Sequence, residues 1–523
     1  MNRHSPSMDQ FVVHGAARIA IIGVALVAAM SSFYVAPRLI NQTGSTNALN
    51  SQNAGSGDSG SGDQGSGGSG GGGGAGGRGS QGGQASNAGS GGGGGGSAVV
   101  PANLSCPGKN GGATDVGVDA KTVHLAATEV LSGIGSSFLG PVRYGMFAVI
   151  QKVNRQGGIC GRNIDLTHGL KDDGWDAQTG KQYIDNFIDS NEYFALAVVP
   201  SSEGLNAASQ GGDLDRAQDA KTGSAGIPVV GTDGMLNSQY TDPLIWPVAA
   251  STSTSMRIMA HDAIARGAKS FAIVYDATYK FGVEGAGAFV AQLHRQHMQI
   301  SSNCEVALTA GQSDYGTQVS SFNNACGNNS SNPVDFVALL LEPQTAEAWL
   351  HGNPYMGVNK QGGGYGAGGP QPLFDLNFAN TCGVTCQGLE VWTSFSPPIY
   401  PFDQQGAVQA YRQDLCAVDP HNCSVDMDSA FTEGGYVGMS LMVEALKEAS
   451  PYLTRDRLRQ VLDAMTFKSG LSADLTYKHG NHYANLSMVA FKDQYSSNAQ
   501  FQVIQNSQQT DPCGGCQDSA LAS

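Results

Sequence analysis

From residue 119 onward the chain alternates short apolar runs with helix-length amphipathic segments, and this alternation restricts the fold more than any other feature. "TVHLAATEV" (122–130) reads as a strand, and "GPVRYGMFAVIQKVN" (140–154) as a helix closed by Gly157 and Gly158. "NIDLTHGL" predicts a strand, "DAQTGKQYIDNFID" a helix and "YFALAVVP" (193–200) a buried strand. A helix from about 203 and the strand "IPVVG" (227–231) follow. After "DPLIWPVAAS" the cycle restarts with the helix "TSMRIMAHDAIARG" and the strand "SFAIVYDA" (270–277). A helix over 283–298, the strand "CEVALTA", a helix near 316–323 and the strand "VDFVALLLE" (334–342) complete it. Strands separated by helices imply βαβ units and parallel sheets buried on both faces. Two such runs predict an α/β protein of two doubly wound parallel-sheet lobes. Ligands of open sheets sit at the carboxyl ends of the strands, and two lobes let those ends face one another.

The segment ahead of this region differs in kind. Residues 38–100 are Gly/Ser-rich with few apolar side chains, which predicts a disordered linker whose 43–98 stretch spans about 40 Å. Residues 19–37, "IAIIGVALVAAMSSFYVAP", are apolar over about a bilayer's thickness, with Arg3 and Arg18 before them. This predicts a transmembrane signal-anchor, with residues 1–18 cytoplasmic. A cleaved secretory signal is the alternative, since Ala28, Ala29 and Ser31 offer small residues to a peptidase. Either way residues 38–523 lie outside the membrane, anchored at the cell surface or secreted.

The net charge of −15 and the lack of a basic stripe argue against nucleic acid as a partner. Ten cysteines fit an oxidising compartment. Close spacing suggests that Cys382 pairs with Cys386, Cys416 with Cys423 and Cys513 with Cys516, and that Cys304 closes a longer loop with Cys326. Cys106 and Cys160 remain as the fifth pair. "CGGC" (513–516) lies in a polar tail with no second CxxC to complete a zinc site.

"KDDGWDAQTG" (171–180) packs Asp172, Asp173 and Asp176 together, a pattern open to a metal site, acid/base chemistry or a helix start. Asp176 directly precedes an apolar-periodic helix and reads as its N-cap, while Asp172 and Asp173 read as turn formers. "GYGAGG" (364–369) satisfies GxGxxG but follows no predicted strand and runs into Pro370, so it reads as an insertion rather than a nucleotide loop. "HGNH" (479–482) reads as a solvated turn. HExxH and P-loop patterns are absent, which points away from an enzyme, a metal centre or a cofactor.

The stretch "SGIGSSF…GMFAVIQKVNRQGGICGRNIDL…KDDGWDAQTG…VVPSSEGLNAA…IPVVGTDG" resembles the first lobe of type I periplasmic solute-binding proteins. Within that group it resembles the Leu/Ile/Val-binding (branched-chain amino-acid) receptors of ABC transporters. The likeness runs on through "FAIVYDATYKFGVEGAGAF" and "DFVALLLEPQTAEAWL" to "NLSMVAFKD". It implies two lobes joined by three crossovers, near 244–250, 389–396 and 468–476. The lobes expected are 119–247 with 390–470, and 248–389 with 471–507, followed by a tail at 508–523.

The resemblance also implies binding positions. Ser201 and Ser202 end a strand before a helix, where hydroxyls and helix N–H groups hold a carboxylate, and Gly231, Thr232 and Asp233 complete that pocket. Phe138 is the expected aromatic wall, with Tyr279 and Phe281 closing from the second lobe. Relatives that bind amino acids carry a second-lobe carboxylate for the ammonium. "FDLNF" (374–378) offers Asn377 or Phe378 in that place, with Asp375 nearby, and Glu342 is the substitute from the neighbouring strand. The implied function is capture of a small polar solute, an amino acid, amide or similar, for delivery to an ABC transporter permease. A membrane-anchored sensor or cell-surface interaction protein is the alternative.

Overall fold

The computed structural model describes residues 104–516 and Asp518, apart from 107, 218–222, 224, 329–332, 354–365, 421–422, 496–498 and 505–507. The expected membrane segment and linker lie outside the described residues. Among the described residues no helix is long and apolar enough to cross a membrane.

The first run of alternating elements builds one sheet, in the order β2-β1-β4-β5-β6 with β3 also on β1. Its strands are β1 Thr122–Glu129, β2 Asn163–Asp165, β3 Leu170–Asp172, β4 Ala195–Ala197, β5 Val229–Thr232 and β6 Ile245–Pro247, all parallel. Alternating residues of a strand point to opposite faces, and here both faces are buried. Leu125, Ala127 and Val230 join one apolar core, while Ala126, Leu196 and Val229 join the other. The Ala177–Ser190 and Ser202–Gln210 helices cover the second of these faces. The Val142–Arg155 and Ala430–Ala449 helices pack on the first. Glycines bring that layer close: a Cβ on Gly231 would stand 2.5 Å from Gly438 Cα.

The second sheet runs β15-β14-β11-β10-β9-β7-β8. β7 Phe271–Asp276, β8 Glu305–Leu308, β9 Phe336–Leu340, β10 Ala367–Gly369 and β11 Glu390–Thr393 are parallel, as the pattern predicts. β14 Ser487–Tyr495, β15 Ala499–Val503 and β16 Gln509–Thr510 add an antiparallel edge that the wholly parallel expectation lacked. The start of the tail thus belongs to this sheet.

Two other expectations need correction. The "GYGAGG" stretch is not simply an insertion, because Ala367–Gly369 is a buried strand between β9 and β11. Its side chains are small because a Cβ on Gly369 would lie 2.3 Å from Leu373 Cδ1. In "HGNH", His479 is exposed as expected, but His482 is buried, its Nδ1 on the Ile245 carbonyl and its ring stacked on Trp246.

The chain passes between the two sheets three times: after β6, after β11, and, by way of a small hairpin of β12 Thr466–Phe467 and β13 Leu475–Thr476, before β14. β11 lies in the second sheet, so the second passage falls at 394–396, a little after the expected lobe start at 390. The passages are bonded side by side. Ala250 N–H donates to Ser394 Oγ (2.9 Å) and Ser396 N–H to the Leu471 carbonyl (2.7 Å). Tyr477 Oη donates to the Pro247 carbonyl and Asn485 Nδ2 to that of Val248.

All ten cysteines are cross-linked in the expected pairs. Cys106 is bonded to Cys160, Cys304 to Cys326 and Cys382 to Cys386. Cys416 is bonded to Cys423 and Cys513 to Cys516. Cys160, Cys304, Cys382, Cys386 and Cys423 are buried, while Cys106, Cys326, Cys416, Cys513 and Cys516 are half-buried. The "CGGC" stretch is therefore a closed bridge, with Cys513 and Cys516 at its two ends.

Candidate functional site

The carboxyl ends of the first sheet's strands carry an unusual density of acids. Glu129 ends β1, Asp173 follows β3 and Asp233 follows β5, and all three are buried. Asp172 turns the chain as predicted, accepting from Leu131 and Gly174 N–H, and Asp176 caps its helix through Thr179 N–H. Asp173 does more than turn the chain. Its Oδ1 accepts from Trp175 N–H, but its Oδ2 has no hydrogen-bond partner among the described residues. Both oxygens of Glu129 and Oδ2 of Asp233 are likewise buried without a partner.

Burial in a low-dielectric interior disfavours the charged carboxylate. It pushes Asp173 up to about 6 and Asp233 to about 7, and Glu129 well above the ordinary range. The neighbouring Asp173 and Asp233 raise Glu129 further, and Arg143 opposes them. Ser201 and Thr128 hydroxyls favour the charged form of Asp173, though neither sits in a geometry that completes a hydrogen bond.

The sequence-predicted residues fall as follows. Ser201 is the residue before the Ser202–Gln210 helix, buried, and its hydroxyl makes no cap bond. Ser202 Oγ accepts from Trp175 Nε1 at 3.2 Å. Thr232 Oγ1 donates to Gln239 Oε1 at 2.6 Å, and Gln239 Nε2 donates onward to Asp233 Oδ1. Gly231 takes a positive φ of 85° where β5 meets the Ala430–Ala449 helix. Phe138 is fully buried, edge-on to Trp175 and to Phe431.

From the second sheet, Tyr279 stacks on Trp175 with ring centroids 3.9 Å apart, and Phe281 lies 5.7 Å from the same indole. Glu342 caps the Pro343–Gly352 helix, its two oxygens accepting from Gln344 and Thr345 N–H. Asn377 is exposed on the Leu376–Cys382 helix, and Asp375 caps that helix through Phe378 N–H. The structure thus gathers Phe138, Ser202, Tyr279 and Phe281 about Trp175, and Ser201, Thr232 and Asp233 beside them. Glu342 and Asn377 are engaged elsewhere, in a helix cap and on a surface.

Trp175 is the functional candidate that the sequence pattern does not reveal. It follows the "DDG" turn with φ 67°, a left-handed conformation rare for a bulky residue. Asp173 holds it there. Glu129 escapes the pattern as well; its one signal is a carboxylate closing an otherwise apolar strand.

Polar contacts join the two halves around this ring stack. Lys280 N–H donates to Glu203 Oε1 (2.7 Å), Lys280 Nζ to Asn206 Oδ1 (2.9 Å), and Asn237 N–H to Glu284 Oε2 (2.8 Å). An enclosed cavity of about 10 Å³ lies deeper, lined by Asp233 and Gly231 on one side and by Gln371, Phe395 and Phe431 on the other. That volume is about one water's worth. A groove of about 530 Å³ opens beyond Tyr279 and Lys280, between Glu203, Ser238 and Glu284.

Two α/β halves, three passages and facing strand ends define a two-lobed binding-protein architecture. The model of the periplasmic binding protein family matches residues 122–494, and the chain belongs to this family, of type I. The family is one of extracytoplasmic solute-binding receptors. The fold is shared with several solved structures. A fatty acid ABC transporter substrate-binding protein from Thermomonospora curvata has a TM-score of 0.63 at 15% identity, covering 78% of this chain and 97% of its own. A leucine-binding protein from Thermotoga maritima MSB8 has 0.58 at 16%, covering 73% and 99%. A solute-binding protein of an ABC transporter from Rhodopseudomonas palustris BisB5, in complex with 3,4-dihydroxybenzoic acid, has 0.59 at 15%, covering 75% and 98%. No curated protein matches the chain.

Proposed function

We propose that the chain captures a small polar solute between its two halves and delivers it to an ABC transporter permease, tethered to the membrane through residues 19–37. The observation carrying this reading is the meeting of Ser202, Phe138 and Trp175 from the first half with Tyr279 and Phe281 from the second. The relatives named above are described as binding fatty acid, leucine or an aromatic acid, so solute capture on this fold has precedent while the solute differs. The lobes we assign are 119–247 with 397–470, and 248–393 with 471–510, hinged at the three bonded passages. A solute touching both halves favours the closed form by its extra contacts there. The proposed contacts are Phe138, Ser201, Ser202, Gly231, Thr232, Asp233, Tyr279 and Phe281, with Trp175 added.

The test is native mass spectrometry of the freshly purified full chain, followed by thermal melts with a broad panel of small solutes. A co-purifying solute that raises the melting temperature and compacts the protein in solution scattering is the expected result. A panel of amino acids, amides, amines and acids that does neither would overturn the reading.

A further inference from the structure

Among the described residues the strand-end acids form no ion pair. Glu129, Asp173 and Asp233 converge from three strands of one sheet, each more than nine-tenths buried, and each with at least one oxygen lacking a partner among the described residues. Ser201 Oγ and Gln371 Oε1 are also buried and unpartnered beside them. Arg143 faces Glu129, but its guanidinium donates to Tyr144 Oη and lies 4.7 Å over that ring, and it forms no ion pair among the described residues. Lys280 is held at the rim by Asn206 and Glu284. The second half adds Asp276, buried with Oδ2 unpartnered.

Buried polar atoms without partners are rare in folded proteins because each lost hydrogen bond is costly. Several in one place therefore point to a missing donor. A metal ion does not fit, since no three acidic, His or Cys side chains among the described residues are arranged to hold one. An anion would meet repulsion from these acids. The rings of Phe138, Trp175, Tyr279 and Phe281 pack on one another beside Asp173, which accepts from Trp175 N–H, and aromatic faces attract organic cations.

We propose, resting on the receptor reading above, that the captured solute is an organic cation: an ammonium or amidinium on a flat or apolar body. Its charged group is held by Glu129, Asp173 and Asp233, and its body lies on Trp175 and Tyr279. The polarity is the reverse of the carboxylate pocket that the family resemblance implies for Ser201, Thr232 and their neighbours. Glu129, which neither pattern nor resemblance singles out, becomes the residue that sets specificity.

The experiment titrates the full chain with phenethylamine and benzamidine, and with their charge-altered counterparts 3-phenylpropanoate and benzamide, reading melting temperature and tryptophan emission. Leucine and calcium chloride are run alongside. Both cations are expected to raise the melting temperature and shift the emission, while the anion, the neutral amide and calcium do not. E129Q and D233N should each weaken the cations by at least about tenfold, a loss of about 1.4 kcal/mol, without lowering the unliganded melting temperature. Stabilisation by 3-phenylpropanoate, leucine or calcium in place of the amines overturns the cation assignment and leaves the receptor reading standing. So does an E129Q variant that melts earlier yet binds the amines unchanged, since Glu129 would then be a packing residue. If neither these compounds nor the broad solute panel shifts the melt, both readings fall.

Discussion

The two halves place carboxylates at equivalent points of their sheets and treat them in opposite ways. In the second half, Glu342 lies two residues beyond β9 and directly before Pro343, so it meets the free N–H groups of a helix start and accepts two of them. Asp375 does the same for the Leu376–Cys382 helix. In the first half, Glu129 ends β1 with only a loop and the short Ser136–Leu139 helix before the Val142–Arg155 helix, and no helix N–H reaches it. One residue type is thus a structural cap on one side of the cleft and an unsatisfied acceptor on the other. What separates them is the spacing between strand end and helix start. Asp276 stands between these cases, one oxygen on Thr278 N–H and the other free.

The largest effect that would probe this difference comes from the ring bridging the halves. Trp175→Ala removes a buried indole stacked on Tyr279 and should cost about 3–5 kcal/mol in chemical denaturation. Tyr279→Ala removes a half-buried ring from the same stack and should cost less. Equal losses would mean that the stack belongs no more to one half than to the other.

Next in size is the dependence on pH. Asp173 and Asp233 titrate higher in the folded protein, near 6 and 7, than the ordinary carboxylate value of 3.8. Between those values the folded state holds protons that the unfolded chain has lost, so stability is full below about pH 4 and falls as pH rises through 6 and 7. Each unit of displacement is worth about 1.4 kcal/mol. Denaturation midpoints in the unliganded protein should therefore decline from pH 5 to pH 8, by about 2–4 kcal/mol in all. Asp233 is faced by Glu203, Asp173 by Asp172, and Glu129 by Arg143, Asp173 and Asp233, so the decline should flatten in D173N and D233N. A slope of the opposite sign would place the titration in other groups, such as the lowered carboxylates of Asp172 and Asp176.

These contrasts also mark what the sequence made legible. Period and length disclosed the strands and helices, because burial on both faces of a parallel sheet forces apolar runs such as "FAIVYD". The cap at Asp176 was legible because its signal is local. Close spacing likewise disclosed the short bridges, as between Cys382 and Cys386. β10 was not legible, since Ala-Gly-Gly carries no strand preference and is extended only because its neighbours pair with it. At the site, the family resemblance pointed to Ser202 and Tyr279, but not to the indole between them. Trp175 sits in a turn, where an aromatic has no periodic partner to reveal where it points. The burial of Glu129 likewise depends on residues such as Asp233 and Arg143 that are distant or off its strand.

Glu129→Gln gives the third prediction. Replacing an acid that burial holds well above its ordinary range should stabilise the unliganded protein at pH 7. Midpoints of the variant and the parent should converge towards pH 4, where both side chains are neutral. A destabilised variant would show that the carboxyl makes contacts its amide cannot.

The smallest effect tests the other side of the comparison. Glu342→Ala exposes the N–H groups of Gln344 and Thr345 at the head of the Pro343–Gly352 helix, and loss of a side-chain cap costs about 0.5–2 kcal/mol. Aspartate at the same position, a favoured cap residue, should recover most of that loss. Burial raises the Glu342 carboxyl while its cap bonds and Thr345 lower it, so the stabilisation should hold only where the group is ionised. The decisive reading is the pairing of stability with affinity for whatever solute the full chain retains. A cap residue lowers the melting temperature and leaves affinity nearly untouched, because its oxygens are already engaged by the Gln344 and Thr345 N–H groups. Were Glu342→Ala to spare stability and abolish binding, Glu342 would be a ligand contact as the family resemblance implies, and the asymmetry between the halves would disappear.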